Sequence, residues 1–286
     1  MRLTIVILPA LLATGATAEP LSSRLASLIP SDALFVAGID IARYQHAQLN
    51  SFYPMTLEGM PCGEGSAWIE NVRQLVVAEG APGSGMNRLT ILIGTATSPS
   101  QSGESDGADA AGNGSFALLD AATVVCGHPQ MVREALSRWH SAGGQSGELA
   151  DKVKRMSETY DNWFIKVRPF EISEDSRGPV KILKYRADFA GAVKEVLGGV
   201  RVGGINEVRV EVVTEAPEDA AALAALGRWL PGLVQMKAPY SNESALADLA
   251  ENLTVMPAGN TVSLSFTLDD SKLEDLARAR HVGREE

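Results

Sequence analysis

The sequence predicts an α+β fold in which antiparallel β-hairpins pack under helices in a two-layer arrangement, and three observations predict it. Short runs rich in Val, Ile and Leu come in pairs joined by turns of Gly, Pro and Asn, the pattern of hairpins. Segments with apolar residues at helical spacing follow those hairpins instead of alternating singly with each strand. The order of hairpin and then helices occurs in both halves of the chain, without a strict sequence repeat, so the halves are expected to be structurally related.

The chain opens with Met1 and Arg2, an apolar run from Leu3 to Ala13, and small residues up to Ala18 ahead of Glu19-Pro20. A charged start, a short apolar core and a small-x-small end define a cleavable secretory signal peptide over residues 1–18. That core is shorter than the roughly 20 apolar residues that cross a bilayer, so the mature chain is expected not to span a membrane.

After the cleavage point, Leu21, Leu25 and Leu28 predict a short helix that stops at Pro30, and Ala33–Asp40 reads as a buried strand. A helix is expected over Ile41–Tyr53. Arg73–Ala78 and Leu89–Gly94 form an antiparallel pair joined by the glycine-rich stretch 80–85. Residues 95–115 contain no large apolar side chain and are expected to form a mobile acidic loop. Phe116–Leu119 and Thr123–Cys126 make a tight hairpin. Pro129 then starts a helix carrying Met131, Val132, Ala135, Leu136 and Trp139. A helix over 147–158 leads into a strand over Tyr160–Val167, which completes an N-terminal α+β domain over 19–168.

The Glu-, Asp- and Ser-rich stretch within 169–186 reads as a linker, and 187–286 as a C-terminal α+β domain. Its elements are a helix over 187–197, a strand at Val200–Val202, a Gly203-Gly204 turn and a strand at Glu207–Thr214. A helix begins at Pro217, where a first turn tolerates proline, with Glu218 and Asp219 at its positive end. Leu223, Leu226, Leu230 and Leu233 are expected to face the core. A helix over Ser244–Asn252 precedes a strand at Leu253–Met256, a turn at Pro257–Asn260, a strand at Thr261–Leu268 and a last helix from Ser271.

The stretches LIPSDALFVAGID, VKRMSETYDNWFIKV, EDAAALAALGRWLPGLVQM and LAENLTVMPAGNTVSLSFTL together resemble a group of exported α+β proteins of soil bacteria with no known activity. The resemblance covers most of the mature chain and lies in packing patterns. It implies a bacterial, extracytoplasmic origin, and it carries no catalytic residue, ligand or activity.

Charge and motifs narrow the function. Twenty-five Lys and Arg stand against 35 Asp and Glu, a net charge of −10. An acidic chain repels phosphate backbones unless it carries a basic stripe, and Lys152, Lys154 and Arg155 are interrupted by acids, so nucleic acid is not an expected partner. No phosphate-loop, HExxH or CxxC pattern occurs, no His pair has i, i+4 spacing, and no catalytic, cofactor or metal site is assigned. Cys126-Gly127-His128-Pro129 has the chemistry of a thiol nucleophile at a helix start, but Cys126 also completes an apolar strand, and core packing is the favoured reading.

Two candidate features remain. Cys62 and Cys126 are the only cysteines, and they could pair in an oxidising compartment. Pro231 lies two residues past Trp229, so the end of that helix is expected to present Trp229, Leu233 and Met236 as a partner surface. The function expected is that of a non-catalytic periplasmic or secreted binding protein without cofactor, whose partner is an envelope component. The alternative is a hydrolase or small-ligand enzyme using carboxylates such as Asp40 or Asp161.

Overall fold

A computed structural model describes residues 21–41, 72–80, 88–94, 115–141, 147–167, 191–202, 205–237 and 252–269. Cys62, the segments expected to be a signal peptide, a linker and a last helix, almost all of the expected acidic loop, and most of the helices expected over 41–53 and 244–252 lie outside these residues. The described residues contain ten strands, antiparallel in every pairing described, and four helices, a mixed α+β composition. They fall into two compact units that divide between Ile165 and Lys166.

The first unit contains α1 (Ser23–Ala26), β1 (Phe35–Asp40), β2 (Val72–Glu79), β3 (Arg88–Gly94), β4 (Ser115–Asp120) and β5 (Thr123–Gly127). Then come α2 (Pro129–His140), α3 (Glu148–Thr159) and β6 (Asn162–Val167), whose last two residues lie past the division. The strands run in the order β4-β5-β3-β2-β1-β6. Cross-strand partners share a face, and this fixes two apolar surfaces. Val36, Val76, Ala78, Leu89, Ile91 and Val125 fall on one side, and Leu75, Leu92, Val124 and Cys126 on the other. The second set forms a buried cluster with Val72, against which Ile41 and Val77 pack. Fully burying a side chain such as Leu89 or Ile91 contributes about 1.5–3 kcal/mol relative to leaving it in water.

The helices form where the pattern places them. Pro129 occupies the first turn of α2, and Met131, Val132, Ala135 and Trp139 fall on its buried stripe. Glu148 and Asp151 in the first turn of α3 complement its positive end, while Val153 and Met156 are buried. Three contacts tie α1 and the residues on either side of it to these helices. The Arg24 guanidinium lies 3.6 Å from the centre of the Trp139 ring, Arg138 Nη2 donates to the Leu28 carbonyl at 2.8 Å, and the Leu21 amide donates to Ser157 Oγ at 3.2 Å.

Two glycines are required by close approach. Gly127 has φ +148°, and a Cβ there would run into the carbonyl oxygen of Arg88, which accepts from the His128 amide at 3.1 Å. Gly38 lies directly under the indole of the buried Trp163, so a side chain at 38 would strike the ring.

The second unit contains β7 (Val193–Arg201), β8 (Asn206–Thr214), α4 (Pro217–Lys237), β9 (Thr254–Ala258) and β10 (Thr261–Leu268), with strand order β7-β8-β10-β9. Two sequence expectations are corrected here. Val193–Leu197 is strand and not helix: Ala, Lys, Glu and Leu favour a helix locally, but β7 is paired with β8 along its whole length and that tertiary pairing overrides propensity. The turn expected at Pro257–Asn260 is confined to Gly259-Asn260, with Gly259 at φ +59°, and Pro257 belongs to β9. In a two-residue hairpin the flanking residues, Ala258 and Thr261, form the hydrogen-bonded pair, so the Pro257 nitrogen points outward from this edge strand. Its missing N–H costs no ladder bond and removes a donor that another strand could use.

Candidate functional site

The interior stripe of α4 is made of Ala220, Leu223, Ala224 and Gly227. Ala220 and Ala224 form a core cluster with Val262, against which Leu223, Val255 and Leu264 pack. A Cβ at Gly227 would stand 3.1 Å from Val255 Cγ1 and 3.9 Å from Leu264 Cδ2, so glycine lets the helix approach β9 and β10 closely. Val208, Val210 and Val212 pair with Phe266, Leu264 and Val262 and therefore face the same way, as the alternation predicts. The opposite sheet face is polar, with Arg209, Glu211, Ser263 and Ser265, plus the exposed Met256; Arg209 pairs with Glu211 at 2.9 Å.

The outward side of α4 is unusual for a solvated helix. Pro217, Glu218, Ala221, Ala225, Arg228, Trp229 and Gly232 are exposed. At 100° per residue these positions fall within an arc of about 120° on the side of the helix away from the buried stripe. Glu218 and Arg228 are the only charged members, and Trp229 is 71% exposed. An amphipathic surface helix carries polar residues on this side, whereas α4 is apolar or small nearly all round. Neither Glu218 nor Arg228 forms an ion pair among the described residues. Trp229 is thus exposed, while the side chains of Leu233 and Met236 lie outside the described set.

The other sequence-predicted groups are placed as follows. Cys126 is completely buried in the apolar cluster of the first unit and is disulfide-bonded, so its sulfur is not a nucleophile. The other cysteine of the chain, Cys62, lies outside the described residues. His128 precedes α2 with a buried, unpartnered Nδ1, and the exposed His140 ring sits 2.8 Å from the Leu136 carbonyl oxygen. Lys152 and Lys154 pair with Glu148 and Glu158 along α3, the arrangement of a solvated helix face. The pairing with Lys152 holds the Glu148 carboxyl below its ordinary range. Asp40 and Asp161 are both buried, and the Asp40 amide donates to the Asp161 carbonyl at 2.8 Å, so β1 and the start of β6 bring these two residues together. Among the described residues no group of three His, Cys, Asp or Glu side chains could hold a metal ion, and no helix is long and apolar enough to cross a membrane.

A second apolar feature went unanticipated. Phe116 and Leu118 on β4 are exposed and lie opposite Cys126 and Val124, extending that cluster to the sheet edge. The alternation of the hairpin carried the signal, since residues opposite a buried Cys and Val share their face.

No protein-family model matches the chain, and no curated protein is significantly similar to it. A solved structure titled "Structure of crystal form I of TP0453" is similar at a TM-score of 0.47 and 10% identity, over 92% of this chain and 98% of that one. A likeness this distant carries no argument about what this protein does.

Proposed function

We propose that this is an exported, non-catalytic binding protein of the periplasm or the extracellular space, of bacterial origin, which contacts a protein partner through the outward side of α4. The exposure of Trp229 on a helix surface whose other members are mostly small or apolar carries the reading, because exposed aromatic side chains on flat apolar surfaces anchor interfaces. The disulfide at Cys126 supports export, since such bonds persist in oxidising compartments. Cys62 is the only other cysteine of the chain. The succession of hairpin and helix in each unit, β4-β5 with α2 and β7-β8 with α4, supports a two-layer arrangement of related halves.

The test is cross-linking capture of the tagged protein from its native cell envelope. A partner captured in stoichiometric amount should be lost in Trp229→Glu and retained in Met256→Glu, whose exposed side chain lies on the opposite sheet face. Capture that ignores both substitutions would defeat the assignment of the surface.

The burial of Asp40 and Asp161 on neighbouring strands favours a second reading, a hydrolase using carboxylates such as these. Activity in a broad hydrolase screen that disappears in Asp40→Asn and Asp161→Asn would establish it. Absence of activity in the wild type, or its persistence in both variants, would sink it.

A further inference from the structure

We propose that the partner of this surface is a second copy of the same chain, docked through antiparallel α4 helices. The proposal rests on the interaction reading above and names the occupant of its surface. A two-fold interface must be self-complementary, with residue i facing residue j in both directions. The outward side of α4 meets that condition in charge. Glu218 and Arg228 are exposed, oppositely charged and free of ion pairs among the described residues, and they stand about 15 Å apart along the axis.

Two antiparallel copies of α4 that cross level with residue 223 place each Arg228 opposite Glu218 of the other copy, giving two symmetric ion pairs. The same register sets Ala221 of one copy against Ala225 of the other at the centre. With no side chain beyond Cβ there, the axes can approach to about 8 Å. Each Trp229 then lies level with Pro217 of the other copy and beside its Glu218, at the two ends of the contact. One register therefore satisfies the charges, the small residues and the aromatic anchors together. An acidic nucleic acid would be repelled by this protein, and an anionic membrane would be opposed by Glu218 within the surface.

Sedimentation equilibrium of the purified protein from about 1 to 100 µM, a range that brackets interfaces of this modest kind, tests the proposal. The wild type should reach a mass of two chains reversibly, and Trp229→Glu should remain a single chain. Glu218→Arg and Arg228→Glu should each weaken association by about tenfold or more, because each sets like charges opposite one another, and the double reversal should restore it to within about threefold. Recovery in the double variant shows that both substitutions are compatible with folding.

A wild type that stays a single chain throughout, or a dimer indifferent to Trp229→Glu, would overturn the proposal, as would a double reversal that fails to recover. A single-chain protein that still captures a different envelope partner through Trp229 overturns the second-copy assignment and leaves the interaction reading standing. Failure of both experiments removes both.

Discussion

Gly127 and Gly38 show how much a single position can carry in this chain. At Gly127 an added methyl group meets both an unfavourable φ and the Arg88 carbonyl, so Gly127→Ala should lower unfolding stability by about 2 kcal/mol or more, read as a shift of the urea midpoint at constant slope. Gly38→Ala should also destabilise, because the Trp163 ring must move, and its signature should be a change in buried tryptophan emission. Trp229→Glu should change stability by less than about 0.5 kcal/mol, since the indole is already in water. A large loss in that variant would mean that Trp229 is packed. The roles of the two glycines were not legible at the residue level. The glycines read as turn or strand residues because the atoms that crowd them, in Arg88 and Trp163, are distant in sequence. Cys126 was legible as core from the strand TVVC, but its oxidation state was not, because pairing depends on tertiary distance.

At the scale of elements, strands with alternating patterns were the most legible. Glu207–Thr214 and Thr261–Leu268 were read within a residue or so because Val208, Val210 and Val212 announce a period of two and their partners repeat it. β7 was misread in its first half, where local propensity opposes pairing, and Pro257 was placed in a turn because sequence does not show which way its nitrogen points. The β9-β10 turn is held by Asn260, whose carbonyl accepts from the Thr214 amide at 2.8 Å while its side-chain amide donates to the Thr214 carbonyl at 3.2 Å. Asn260→Ala removes only the second bond and should cost about 1 kcal/mol in chemical unfolding. No measurable cost would show that the side-chain bond is exchanged for water without loss. The outward side of α4 was half legible: the run EDAAALAALGRW has too few polar residues for a solvated helix, yet Pro231 drew attention to the end of the helix instead of its centre.

At the scale of the whole molecule, the proposal of an exported interaction protein draws on the disulfide at Cys126 in the first unit and on the outward side of α4 in the second. If Cys62 and Cys126 pair, the intact protein should take up no thiol reagent when unfolded without reductant and two equivalents after reduction. Reduction should lower stability by about 2–5 kcal/mol, the range for a native disulfide. Two reactive thiols in the unreduced protein would contradict both the pairing and the support it gives to export. Composition and the absence of motifs directed the functional reading away from nucleic acid and common chemistries. The surface itself needed three dimensions, because exposure is decided by which side of α4 meets Val255 and Leu264. The most direct measurement is photo-cross-linking from a benzophenone side chain at position 225, at the centre of that surface, in the native cell envelope. The account predicts one dominant protein adduct that disappears with Trp229→Glu; an α4 that yields no protein adduct at this position would contradict its role as an interaction surface.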